Sequence, residues 1–206
     1  MPRVIGNRSV NTALFGLLRN NLLLFALLLS GAQASWADQD LSCTPDKNGD
    51  VKLGNGDLTC TGPGSKTVNS IQGNNGAENV VTLQGEAELS VANDVALDQT
   101  KGNGGNTKNG NIIDIEVDSS LVIKGKLTNH RTNAQGNPDV ITNAGTLTVK
   151  GETDMYQWDD QITNSGEATF NKLALGSGDD TITNSGELTV GAEYSGGLAG
   201  GLEPGK

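Results

Sequence analysis

Large aromatic side chains are scarce in this chain, at 3% of its 206 residues. Beyond residue 37 only Tyr156, Trp158, Phe170 and Tyr194 remain. A compact domain of this size ordinarily buries more rings, whereas a solenoid fills its narrow interior with small stacked side chains. Histidine occurs once, as His130 in the polar stretch Asn129-His-Arg-Thr132, and no Gly-x-Ser-x-Gly elbow accompanies it. That argues against a Ser/His/Asp triad. Cysteine occurs only as Cys43 and Cys60. Basic residues number 14 against 24 acidic ones, a balance that argues against nucleic acid and anionic membrane surfaces as partners, since both want Lys/Arg patches.

The longest apolar run, Leu22 to Leu29, is too short for a transmembrane helix. Arg3, Arg8 and Arg19 precede it, and Ser30-Gly-Ala-Gln-Ala-Ser-Trp-Ala37 follows it with small residues at alternating positions. This order describes a secretory signal peptide over residues 1–37, with cleavage expected after Ala37 or, as second choice, Ala34. Its removal leaves 11 basic and 24 acidic residues, a formal charge of −13. In an exported chain the even cysteine pair reads as a disulfide, Cys43 to Cys60, that closes a short loop.

A repeat dominates the rest. Asp139-Val-Ile-Thr-Asn-Ala-Gly-Thr-Leu-Thr-Val149, Asp160-Gln-Ile-Thr-Asn-Ser-Gly-Glu-Ala-Thr-Phe170 and Asp180-Thr-Ile-Thr-Asn-Ser-Gly-Glu-Leu-Thr-Val190 start 21 and then 20 residues apart. Each copy reads as strand, tight turn, strand, without helical periodicity. Looser copies lie upstream at Asn111–Ile123, Asn79–Val91 and Asp50–Cys60. The expected fold is all-β: a right-handed parallel β-helix solenoid with rungs of about 20 residues. The alternative is an antiparallel sandwich, which does not require Asn and Gly to recur in register.

The expected organisation is a signal peptide at 1–37, an N-terminal cap with an irregular first rung at 38–78, β-helix rungs at 79–193, and a flexible Gly-rich tail at 194–206. Gly62–Gly76 and Gln99–Asn111 read as projecting loops. Ile141, Ile162 and Ile182 are expected to stack inward, as are Leu147, Ala168 and Leu188, and Val149, Phe170 and Val190. Asn143, Asn164 and Asn184 suit an amide ladder at one corner. Gly145, Gly166 and Gly186 are expected to supply positive φ there, with threonines on the outer face.

The signal peptide, the close cysteine pair and the Asp-x-Ile-Thr-Asn-x-Gly-x-Leu-Thr-Val rungs together resemble the passenger domains of bacterial autotransporters. The resemblance covers most of the chain after the signal and is strongest from Asp139 to Val190. It implies a parallel β-helix displayed at the cell surface as an adhesin, protease or toxin carrier, and a role in virulence. Family members carry a C-terminal outer-membrane barrel. Here no alternating lipid-facing strands follow Val190 and Lys206 is not aromatic, so the expectation is either a fragment of a longer autotransporter or a passenger that is released and held by something else, such as a separately encoded barrel.

Three clusters bear on chemistry. Leu175-Gly-Ser-Gly-Asp-Asp-Thr-Ile-Thr183 approaches the calcium-binding nonapeptide, making Asp179 and Asp180 the calcium candidates; an acidic turn entering a strand is the preferred reading of this isolated match. Asp159, Asp160, Asp179 and Asp180 are expected to stack as a solvated acidic corner, with paired-carboxylate glycoside hydrolysis as the alternative. Met155, Tyr156 and Trp158 interrupt the repeat and form a candidate binding loop; the competing role is to cover an edge of the stack. The functional expectation is an exported, non-catalytic scaffold or adhesin without cofactor. It would be surface-displayed or extracellular, or periplasmic without a barrel, would bind a host-cell or matrix ligand, and would not be an integral membrane protein. A polysaccharide-cleaving enzyme and a calcium-dependent module are the alternatives.

Overall fold

A computed structural model describes residues 43–53, 57–73, 78–99, 110–130 and 138–198. All lie within the second of two compact units, residues 37–206. The segment read as a signal peptide and the chain after residue 198 lie outside the described residues.

The described residues form fifteen strands: β1 (Val51–Lys52), β2 (Asp57–Thr61), β3 (Gly64–Val68), β4 (Ile71–Gln72), β5 (Val80–Gln84), β6 (Ala87–Val91), β7 (Val95–Gln99), β8 (Ile112–Ile115), β9 (Ser120–Ile123), β10 (Leu127–His130), β11 (Val140–Asn143), β12 (Thr146–Asp154), β13 (Gln161–Asn164), β14 (Glu167–Asn184) and β15 (Glu187–Leu198). Every pairing between them is parallel. That is the parallel β-solenoid expected from the repeat, and it rules out the sandwich, whose hairpins pair antiparallel.

The strands form three stacks. The first runs β2, β5, β8, β11, β13 and the end of β14. The second runs β3, β6, β9 and the first residues of β12, β14 and β15. The third runs β1, β4, β7, β10, the end of β12 and the middle parts of β14 and β15. The third face is the part that a strand–turn–strand unit does not anticipate. Its strands are short, only two residues in β1 and β4, too few for an alternating pattern to register.

Six residues mark successive rungs on the first face: Leu58, Val81, Ile113, Ile141, Ile162 and Ile182. They are 23, 32, 28, 21 and 20 residues apart, so the 20-residue period holds only at the end. The two long steps contain residues 100–109 and 131–137, which lie outside the described residues; solenoids take insertions at their turns. Gly62–Gly76, read as a loop, instead contains β3 and β4. In β3 Gly64 and Val68 face inward, which makes a polar sequence serviceable as a strand.

The inward columns are continuous. Leu89, Leu121, Leu147, Ala168 and Leu188 share one register, and Val68, Val91, Ile123, Val149, Phe170 and Val190 another. Through the rung of Phe170 these apolar side chains are buried, while Ile182, Leu188 and Val190 of the last rung are half-buried. Outside, Thr163 and Thr183 are exposed. Strand β15 runs to Leu198, so pairing continues into the segment read as a tail. Cys43 and Cys60 are disulfide-bonded with Cα atoms 5.0 Å apart, and both are buried against the first rung.

The corner glycines have a different role from the one expected. Gly145, Gly166 and Gly186 have no positive φ. A Cβ on Gly166 would lie 2.1 Å from the Gly145 carbonyl oxygen, and one on Gly186 equally close to that of Gly166. Backbones of successive rungs meet at this corner, and only a residue without a side chain lets them approach.

Candidate functional site

Two Asx columns run through the stack. In the first, Asn143 Nδ2 donates to Asn164 Oδ1 at 2.7 Å, and Asn164 Nδ2 to Asn184 Oδ1 at 2.7 Å. Each amide also reaches a carbonyl of the following rung, Glu167 O from Asn143 and Glu187 O from Asn164, both at 2.9 Å. Upstream the same column reads Ile115, Leu83 and Cys60, so the ladder begins at Asn143.

The second column is Asn79, Asn111, Asp139, Asp160 and Asp180, all buried. Each member's backbone N–H donates to the Oδ1 of its successor: Asn79 to Asn111 at 3.2 Å, Asn111 to Asp139 at 2.6 Å, Asp139 to Asp160 at 2.8 Å and Asp160 to Asp180 at 3.0 Å. This corrects the solvated corner expected of Asp160 and Asp180, which point into the stack. Only Asp159 and Asp179 are exposed, and there Asp179 N–H donates to Asp159 Oδ1 at 2.8 Å.

Burial sets the electrostatics. Loss of solvation pushes the Asp160 carboxyl up to about 8, against the hydrogen bond from the Asp139 backbone and with help from the charges of Asp139, Asp180 and Asp159. Asp180 is raised by the same loss of solvation, opposed by the Asp160 N–H. The second oxygens of both, Oδ2, are buried without a hydrogen-bond partner. The calcium candidates are therefore divided between surface and interior. Among the described residues no group of three His, Cys, Asp or Glu side chains is arranged to hold a metal ion.

The candidate loop joins β12 to β13, and a matching corner inside β14 lies one rung later. Met155-Tyr-Gln-Trp-Asp-Asp160 stacks on Leu175-Gly-Ser-Gly-Asp-Asp180 through a parallel bridge between Gln157 and Ser177. Trp158 N–H donates to Ser177 O at 2.7 Å, Ser177 N–H to Tyr156 O at 3.2 Å, and Met155 N–H to Ala174 O at 3.0 Å. The lower corner uses glycine where the backbone turns left-handed, at Gly176 (φ 87°) and Gly178 (φ 155°). The upper corner has positive φ at the same two positions, Tyr156 (φ 72°) and Trp158 (φ 94°). A bulky side chain in this region costs roughly 1–2 kcal/mol.

Met155, expected in the binding loop, is instead buried in the core and offers no contact surface. Tyr156 and Trp158 are half-buried and Gln157 and Asp159 exposed; Gln157, Trp158, Asp159, Ser177 and Gly178 line a shallow hollow. His130 ends strand β10 rather than lying in a loop. The buried carboxylate column escaped the sequence reading because charged side chains are ordinarily exposed. Its signal was present all the same: Asp139, Asp160 and Asp180 occupy the position that Asn79 and Asn111 occupy in the looser copies. Comparison with known proteins found no matching family model, no matching curated protein and no matching solved structure.

Proposed function

We propose that this protein is an exported, non-catalytic scaffold of the autotransporter-passenger kind that acts as an adhesin, with the Tyr156–Trp158 corner as its contact point. The observation that carries this reading is the pair of left-handed aromatic residues above a pair of left-handed glycines. The same turn is built without strain one rung below, so Tyr156 and Trp158 are held there at a cost that folding does not require. Aromatic side chains on a rigid edge lose little entropy when they anchor a partner.

The carboxylates support a binding rather than a catalytic role. General acid–base chemistry needs two groups in unlike surroundings within reach of a substrate. Asp160 and Asp180 are inside the stack, and Asp159 and Asp179 repeat one another on its surface. The signal-like segment supports delivery out of the cell, to the surface or the surrounding medium.

The test is a double variant, Tyr156→Gly with Trp158→Gly, which copies the lower corner. Binding of this variant to host cells or matrix-coated surfaces is expected to fall at least tenfold, with the β-rich circular dichroism retained. Undiminished adhesion would leave the corner a structural element and remove the reading. Polysaccharide turnover abolished by Asp159→Asn would replace it with an enzyme.

A further inference from the structure

The inner Asx column changes character along its length. Its first two members are amides whose Nδ2 is a donor: Asn79 donates to the Leu97 carbonyl at 2.6 Å, and Asn111 to Asn129 Oδ1. Asp160 and Asp180 occupy the same position with a second oxygen that is buried and unpartnered. A carboxyl group that carries a proton on Oδ2 has the shape and neutral charge of the asparagine amide, with one donor where the amide has two. The place that Asn129 holds after Thr128 falls to Met155 after Asp154 and to Leu175 after Ala174, both buried and apolar. The charges that bear on Asp160 are Asp139, Asp180 and Asp159, and those on Asp180 are Asp159 and Asp179; no cation is among them.

The column also touches the corner above. Asp160 N–H is shared between Asp180 Oδ1 at 3.0 Å and the Trp158 carbonyl at 3.0 Å, and Thr181 N–H reaches Asp160 O at 2.8 Å. One N–H thus joins the carboxyl of Asp180 to the left-handed turn at Trp158.

We propose that Asp160 and Asp180 form a proton-operated latch: protonated, they sit uncharged in the interior beside Met155 and Leu175 and hold the Tyr156–Trp158 corner; ionised, they place unpaired charges beside one another and release it. As regulation of a contact point the latch rests on the adhesin reading above, but as a device that holds the corner it does not.

The direction follows from where the proton sits. The folded protein keeps the Asp160 proton to about pH 8, whereas the unfolded chain gives it up near pH 4. Between these values the folded state binds the extra proton, so stability is greatest at the acid end and is lost as pH rises.

The test uses the full chain and no ligand, and so stands apart from any adhesion assay. Melting temperature and tryptophan emission are recorded from pH 5 to pH 9 for the wild type and for Asp160→Asn with Asp180→Asn. The wild type is expected to lose about 10 °C across this range, with a parallel change in Trp158 emission. The double variant carries permanent amides, as Asn79 and Asn111 do, and is expected to show neither change. A flat wild-type profile overturns the latch, and so does an unchanged slope in the variant. Should the variant fail to fold, the wild-type profile decides alone. A melting slope without the emission change also overturns it, because the column would then titrate without moving the corner.

Discussion

Asn143 lies in register with Ile115, and its Oδ1 is consequently buried without a hydrogen-bond partner. The amide ladder below it has a top end, set by the switch from an apolar to an amide column. Asn164, by contrast, is bonded on both sides.

Position in the ladder predicts the cost of breaking it. Asn143→Leu moves the apolar column down one rung and forfeits one ladder bond. Asn164→Leu removes the ladder bonds of both Asn143 Nδ2, which keeps only its carbonyl contacts, and Asn184 Oδ1, and is expected to cost about 1 kcal/mol more. Equal denaturation midpoints for the two variants would exclude the ladder as a source of stability.

Gly166→Ala places its methyl group against the Gly145 carbonyl oxygen. Its backbone has no left-handed φ to lose, so the whole penalty comes from forcing two rungs apart, and a loss of about 3 kcal/mol is expected. A drop below a few tenths of a kcal/mol in urea unfolding would mean that the rungs separate freely.

The disulfide between Cys43 and Cys60 closes a loop of 17 residues. Reduction is expected to cost about 3 kcal/mol, through the freedom it returns to the unfolded chain. Titration of the unreduced protein should find no reactive thiol from this pair, and two reactive thiols would refute the bond.

On the outer surface Lys172 Nζ and Lys126 Nζ flank Glu152 at 2.8 Å and 3.3 Å. The hydrogen bond from Lys172, then that from Lys126, holds the Glu152 carboxyl below its ordinary range. Its contribution is present above the unfolded pKa and is lost as pH falls through the folded one, opposite in sign to that of Asp160. Glu152→Gln should flatten the acid limb of the melting profile while leaving the alkaline limb in place. An unaltered acid limb would show the ion pairs to be idle, as many exposed pairs are.

The regular rungs were legible because identical residues recur where the fold demands identical environments. Ile141, Ile162 and Ile182 announce an inward column, and Asn143, Asn164 and Asn184 announce a ladder. The third face was not legible. Its strands turn the chain around a corner within a few residues, and Lys52, Gln72 and Thr128 carry no alternation that a reader could detect. Gly145, Gly166 and Gly186 serve close approach, and in sequence a glycine needed for that looks the same as one needed for positive φ. The interior Asp160 and Asp180 needed a further step: aligning them with Asn79 and Asn111 and asking what kind of carboxylate can stand in for an amide.

The inner Asx column has an arrow. Asn79 relies on Asn111 for the acceptor of its backbone N–H, Asn111 on Asp139, and so on down the stack, while nothing in this chain of bonds runs the other way. A growing stack therefore carries one open amide of this column at its leading edge, beside the unpaired groups of its strand edges, however many rungs lie behind it. The penalty at the front is fixed while the gain behind it accumulates with every turn. Such a protein can be wound from its stapled end like a thread onto a spool, each turn fastening the one before.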